Sequence, residues 1–192
     1  MYDQLANFIL GKTAIAEPDM QVVLSLFKPV EFSKNEILLD EGKTAKNFFF
    51  VVKGCLRLYS LQPNGSEATG YVVFENMFMA GLYGFITQEP TYERIQALED
   101  TTLLCISREN FYYLLDQVPG WEKFYRSLLE FAYVVKSQRL FSFLALDATE
   151  RYQLLLKENP QVAERLSNKM VANYLGISQE ALSRLKGKLK ST

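Results

Sequence analysis

Over the first 27 residues, apolar side chains fall at helical spacing: Leu5, Phe8 and Ile9, then Val22, Val23, Leu26 and Phe27. Pro18 suits the first turn of a helix and Asp19 favours the same place, so short covering helices are expected here. From Val30 to Ser107 the pattern changes to brief apolar segments parted by turn residues, predicting strands at 36–40, 48–52, 56–61, 69–74, 95–98 and 103–107. Leu56-Arg57-Leu58-Tyr59 reads as a strand alternating between core and water, and Pro63-Asn64-Gly65-Ser66 as the tight turn of a hairpin. A run of short antiparallel strands predicts a β-roll or barrel.

A short helix is expected over 108–116. After Pro119-Gly120, residues 121–143 contain neither proline nor glycine, which predicts a helix roughly 34 Å long at 1.5 Å per residue. Trp121, Phe124, Leu128, Phe131 and Val135 follow alternating three- and four-residue spacing, a seam of a/d type, while Tyr125, Leu129 and Tyr133 enrich a neighbouring face. Two apolar faces need two partners. The roll covers one, and the same helix of a second copy covers the other, so a homodimer is expected, with Gln138 setting register at the next seam position. Asp147-Ala148-Thr149-Glu150 opens a further helix over 151–157, with Thr149 as its cap and a hinge near Leu146. Pro160 breaks the chain again before Leu166.

The segment from Leu166 to Lys186 carries the most specific pattern. Met170, Val171, Tyr174 and Leu175 supply an apolar helical face with Ala172 as a small contact, and Gly176 stops that helix where a left-handed turn is needed. Ser178 is a good N-cap for a second helix, whose buried stripe is Ala181, Leu182 and Leu185. Gln179, Glu180, Ser183 and Arg184 are left facing outward. Arginine pairs with guanine, glutamate accepts from the cytosine amino group, and glutamine or serine serves adenine, thymine or a phosphate, so these are types that read base edges.

Charge sharpens this. The chain has 21 basic and 22 acidic residues, yet from Arg165 onward Arg165, Lys169, Arg184, Lys186, Lys188 and Lys190 stand against the single acid Glu180. A basic end on a near-neutral chain is the electrostatic footprint of a phosphate-backbone contact, with double-stranded DNA as the expected partner.

Composition excludes much else. Histidine is absent, which removes serine and cysteine catalysis through imidazole, imidazole metal sites and His-ligated haem. No catalytic cluster, cofactor or metal site is expected. Cys55 and Cys105 sit in apolar, strand-like surroundings and read as small buried hydrophobes; two cysteines also cannot hold a four-cysteine iron–sulfur cluster. No apolar run reaches 18 residues and the N-terminus lacks a basic segment with a cleavage site, so no membrane span or secretion signal is expected and the cytoplasm is the expected location.

The helix pair, YLGISQEALSR, resembles the recognition element of the Crp/Fnr family of bacterial transcription regulators. FSKNEILLDEG followed by FFFVVKGCLRLYS is similar to the opening strands of that family's cyclic-nucleotide-binding-like domain. The resemblance implies an α+β chain with three parts: an N-terminal antiparallel double-stranded β-roll sensor domain over 1–117, a long central dimerisation helix over 118–146, and a C-terminal all-helical helix-turn-helix domain over 147–192 with its β-hairpin wing absent or vestigial. It implies a homodimeric, non-enzymatic DNA-binding regulator acting on an inverted repeat with TGA-like half-sites, and RNA polymerase as a candidate further partner. Ser178, Gln179, Glu180, Ser183 and Arg184 are the expected reading residues, with Lys169, Lys186 and Lys188 on the backbone.

In cAMP-binding members a Gly-Glu-Leu triplet and a following Arg-Ser pair hold the ribose and the cyclic phosphate. Here Gly81 stands at the Glu position before Leu82, and Thr91-Tyr92 at the Arg-Ser position, so cAMP is not the expected effector. Tyr71, Gly81, Leu82, Tyr83, Tyr92 and Arg94 are the residues left to line an effector pocket, although Arg94 beside Glu93 also reads as plain surface charge and the tyrosines as core. The competing reading is a small-molecule-binding roll whose helical C-terminus is a protein-interaction surface.

Overall fold

The computed structural model describes residues 1–190, with side chains to Lys188. Helices α1 (Tyr2–Leu10) and α2 (Glu17–Leu26) lead into strands β1 (Lys28–Phe32), β2 (Ile37–Leu39), β3 (Asn47–Lys53), β4 (Leu56–Leu61), β5 (Glu67–Val73) and β6 (Phe78–Met79). Then come the short helix α3 (Leu82–Thr87), β7 (Arg94–Ala97), β8 (Thr101–Ser107) and α4 (Arg108–Gln117). The rest is helical: α5 (Trp121–Ala145), α6 (Ala148–Glu158), α7 (Pro160–Arg165), α8 (Asn168–Leu175) and α9 (Gln179–Lys190). This is the α+β arrangement expected.

The strands form two four-stranded antiparallel sheets, ordered β1-β8-β3-β6 and β2-β7-β4-β5, which face each other as a roll. The β4–β5 hairpin closes where expected: Gln62 N–H donates to Ser66 O at 2.8 Å, the Asn64 side chain accepts from Ser66 N–H, and Gly65 holds φ +79°. Between the first of these sheets and the helices that cover it lies an aromatic core, in which Phe78 of β6 contacts Phe8, Phe27, Phe48, Phe50 and Phe124 at centroid distances of 5.1 to 6.4 Å. Such ring pairs add to the area term that dominates core stability.

Helix α5 enters this core at its first two turns. Trp121 and Phe124 are fully buried, and the indole N–H of Trp121 donates to Phe111 O at 3.1 Å. They were expected in the intersubunit seam; they are sealed inside their own roll instead, because the helix starts against α4 and the sheet rather than beyond them.

A second, smaller core holds α6 to α9 together: Tyr152, Leu155, Val162, Val171, Ala172, Leu175 and Leu182, closed on one side by Cys55, Val72 and Phe74 of the roll. That contact corrects the reading of β4 as half wet. Leu56, Arg57, Leu58 and Tyr59 are all buried, because α8 lies over the outer face of the sheet. The cap of α6 is Asp147, not Thr149: its carboxylate accepts from the Thr149 and Glu150 N–H groups, and Glu150 reciprocates on the Asp147 N–H. Pro160 begins α7 at its first turn instead of only breaking the chain, and α9 runs through Gly187 to Lys190. The last two positions of the expected vestigial wing lie outside the described residues.

Candidate nucleic-acid interface

Ser167 opens α8 by accepting from Met170 N–H at 3.3 Å. Gly176 ends it in the left-handed region, at φ +67°, and the next amide, Ile177 N–H, reaches back to Ala172 O at 3.0 Å. A Cβ at 176 would stand 2.8 Å from Cε1 of Phe143, so this glycine also lets α5 approach the turn. Ser178 Oγ then accepts from Ala181 N–H at 3.1 Å, capping α9 as expected. Leu182 is fully buried beneath the helix.

With the stripe under α9 fixed, Gln179, Glu180, Ser183 and Arg184 all face solvent on its outer side. The backbone at the helix start, the Ser178 side chain and then Arg184 hold the Glu180 carboxyl below its ordinary range. Glu180 is therefore an ionised acceptor and Arg184 a donor, one turn apart. Around them Lys169 and Lys188 are exposed, and Lys186 Nζ donates to Asn168 Oδ1 at 2.6 Å, tying α9 to the start of α8. Arg165, counted with the basic end, has another task. Its guanidinium forks onto Glu75 at 2.6 Å and Glu99 at 2.8 Å and stacks on Phe74. The side chain of Lys190 lies outside the described residues.

Residues that the sequence reading passed over set the position of this helix pair. The Asn173 amide accepts from Thr69 N–H at 2.9 Å and donates to Glu67 O. Arg57 pairs with Glu67 at 2.7 Å and Gln96 at 2.8 Å while reaching Met170. Arg139 of α5 donates to Thr69 O at 3.0 Å and to Tyr174 O, and stacks on the Tyr174 ring at 3.7 Å. Nothing in the local pattern joins Thr69 to Asn173, 104 positions away.

The six residues proposed for an effector pocket are not brought together. A cavity of about 530 Å³ opens between the roll and α5, and of the six only Tyr71 and Leu82 line it. Gly81 caps α3, and a side chain there would strike Leu39. Tyr83 donates to the Glu89 carboxylate and stacks with Tyr92, which is 56% exposed. Arg94 is held by Asp40 at 2.7 Å, with Glu41 at 3.8 Å. Glu93 is the residue that was missed. It is buried, lines the cavity, and its carboxyl is pushed up by burial, which the charge of Lys136 partly opposes. Period-two alternation, which places Glu93 on the same side as Ile95 and Ala97, was the available signal.

Of the expected seam, Leu128 packs on the roll core, Val135 is half-buried and Phe131 is 51% exposed. Further along α5, Val134, Phe141 and Leu144 are 50%, 60% and 78% exposed. Burial pushes the Cys55 thiol up to about 12 and that of Cys105 to about 11, so both remain protonated, unreactive core groups. Among the described residues there is no group of metal-ligating side chains, and no helix is long and apolar enough to cross a membrane.

Residues 29–118 match the cyclic nucleotide-binding domain family. No curated protein matches the chain in sequence. Among solved structures, it is similar to FixK2 of Bradyrhizobium japonicum, with TM-score 0.71 and 18% identity over 86% of this chain and 85% of that one. CLP of Xanthomonas campestris, described as a c-di-GMP responsive global regulator, superimposes with TM-score 0.72 and 16% identity over 92% of each chain. A protein of Eubacterium rectale assigned to the Crp/Fnr transcriptional regulators gives TM-score 0.70 and 16% identity over 92% of this chain and 84% of that one.

Proposed function

From a cyclic nucleotide-binding domain at residues 29–118, carried on the fold of the Crp/Fnr transcription regulators, we propose that this chain is a homodimeric DNA-binding transcription regulator. The observation that carries the proposal is the outer row of α9, in which an ionised Glu180 and Arg184 flank Ser183 on a helix that Ser178 caps and Gly176 turns outward. Gln179, Glu180, Ser183 and Arg184 read base edges in a major groove; Ser178, Lys169, Lys186 and Lys188 meet the phosphates. The exposed apolar stripe of α5, centred on Phe131, Val134 and Phe141 with Gln138 among them, is the surface proposed to pair with a second copy. Two such copies present their reading helices to an inverted repeat with half-sites about one helical turn apart.

Regulation by cAMP is not part of the proposal. A buried cyclic phosphate needs a cation and several donors to replace its lost hydration. Gly81, Thr91 and Tyr92 supply none of the family's cassette, and the nearby Arg94 is already neutralised by Asp40 and Glu41. Selection of bound sequences from a random duplex library with the purified protein tests the reading: enrichment of a two-fold symmetric site is expected, and recovery of no sequence preference would end it.

A further inference from the structure

We propose that Arg139 and Arg151 are positioning residues for DNA reading: they lock the turn of the helix pair onto the dimer helix α5, and so set the distance between half-sites that the dimer accepts. This role rests on the DNA-reading proposal above and is one that the outer row of α9 does not carry. The left-handed turn at Gly176 satisfies Ala172 O and Asn173 O through the amides of Ile177 and Gly176. It leaves Tyr174 O and Leu175 O, the last two carbonyls of α8, to be met from elsewhere. Arg139 of α5 donates to Tyr174 O, and Arg151 of α6 donates through Nε to Leu175 O at 3.2 Å.

Each arginine also bonds a second part of the chain. Arg139 donates to Thr69 O of β5 at 3.0 Å, and Arg151 donates to Leu146 O, at the hinge itself, at 2.7 Å. Both guanidinium groups lie over the Phe143 ring, at 4.7 and 5.2 Å, and that ring fills the space a Cβ at Gly176 would need. Roll, α5, α6 and α8 thus meet at one point. A guanidinium suits it, with several fixed donors, a face that stacks on rings and a charge favoured at a helix C-terminus. Without the two arginines, the α5 side of this junction is left to the Phe143 ring and the extended residues Leu146 and Asp147. One base pair added between half-sites moves them about 3.4 Å apart and about a tenth of a turn around the axis. A unit that swings on its hinge absorbs that change; a locked one does not.

The test uses the full chain and the inverted repeat that library selection returns, rebuilt with spacers one and two base pairs longer and shorter. The unmodified dimer should bind the selected spacing at least tenfold more tightly than its neighbours. Arg139→Met and Arg151→Met should each reduce that ratio to about threefold or less, with the preferred half-site bases, sedimentation and circular dichroism unchanged. Without DNA, spin labels at Glu164→Cys should report one narrow distance between the two copies, broadened when Arg139→Met is added. A sharp spacing preference or a narrow label distance that survives the substitutions overturns the role of the arginines and leaves the DNA-reading proposal standing. So does an unmodified dimer that accepts neighbouring spacings equally, a uniform loss of affinity at every spacing, or loss of folding in both variants. Absence of any sequence preference in the unmodified chain overturns the DNA-reading proposal, and this role falls with it.

Discussion

Gly176 carries two constraints at once: a left-handed backbone, and a Phe143 ring where a Cβ would point. Gly176→Ala should therefore cost about 1–2 kcal/mol from the backbone alone, read as a lower thermal midpoint together with weaker DNA binding. The outer row of α9 predicts a different kind of loss. Arg184→Ala should cost roughly 1–3 kcal/mol on the preferred sequence and relax selection at one base pair. Lys169→Ala should weaken all sequences alike and lower the slope of log K against log salt by about one. Equal loss of specificity from both variants, measured by salt-dependent binding titrations, would contradict the division of roles. At this scale much of the helix pair was legible, because caps, turn glycines and buried stripes are local features. Arg57, Arg139 and Asn173 were not, since their partners are carbonyls and side chains on strands and helices remote in sequence.

Among the elements, α5 shows where periodicity runs out. Its existence and length followed from the pattern, but apolar residues line it all round, and spacing alone does not say which of them meet the roll. Trp121 and Phe124 went to the roll core; the exposed row begins about two turns later. Val134→Glu with Phe141→Glu should thus give a folded monomer with weakened operator binding, since like charges would enter a desolvated seam. Sedimentation checks this, and an unmodified chain that is already monomeric at micromolar concentration would rule the seam out. Phe124→Ala should instead cost about 3–5 kcal/mol of roll stability. The strand positions were legible to within two residues or so. Strand β1 was overlooked because Lys28–Phe32 contains Pro29 and no buried side chain, and β6 because it is only two residues long. The glycine in α3 hid that helix: Gly84 sits where a Cβ would crowd Glu89 O and Ala45 N.

Across the whole molecule, the helical unit and the roll are joined by charge as well as by apolar contact. Arg165, with help from the Gly54 N–H, holds the Glu75 carboxyl down from 4.5 to about 2. A depressed carboxylate contributes its stability in full above the unfolded value and loses it as pH falls through the folded one. The thermal midpoint should drop between about pH 4.5 and 2, and Glu75→Gln should flatten that drop while lowering the plateau above it. Because both partners are partly solvated, the contribution is of order 1 kcal/mol.

The core shared with the roll also decides what can be transplanted. Residues 147–192 expressed alone would expose the surface that Cys55, Val72 and Phe74 now cover, and would lose the Thr69 and Arg139 bonds to α8. Such a fragment should show little cooperative melting by circular dichroism. Moving α6 to α9 onto another regulator as a block thus leaves the graft without one wall of its interior. A change of operator preference is better made by exchanging side chains on the outer row of α9, or by carrying the outer face of β4 and β5 along with the helices.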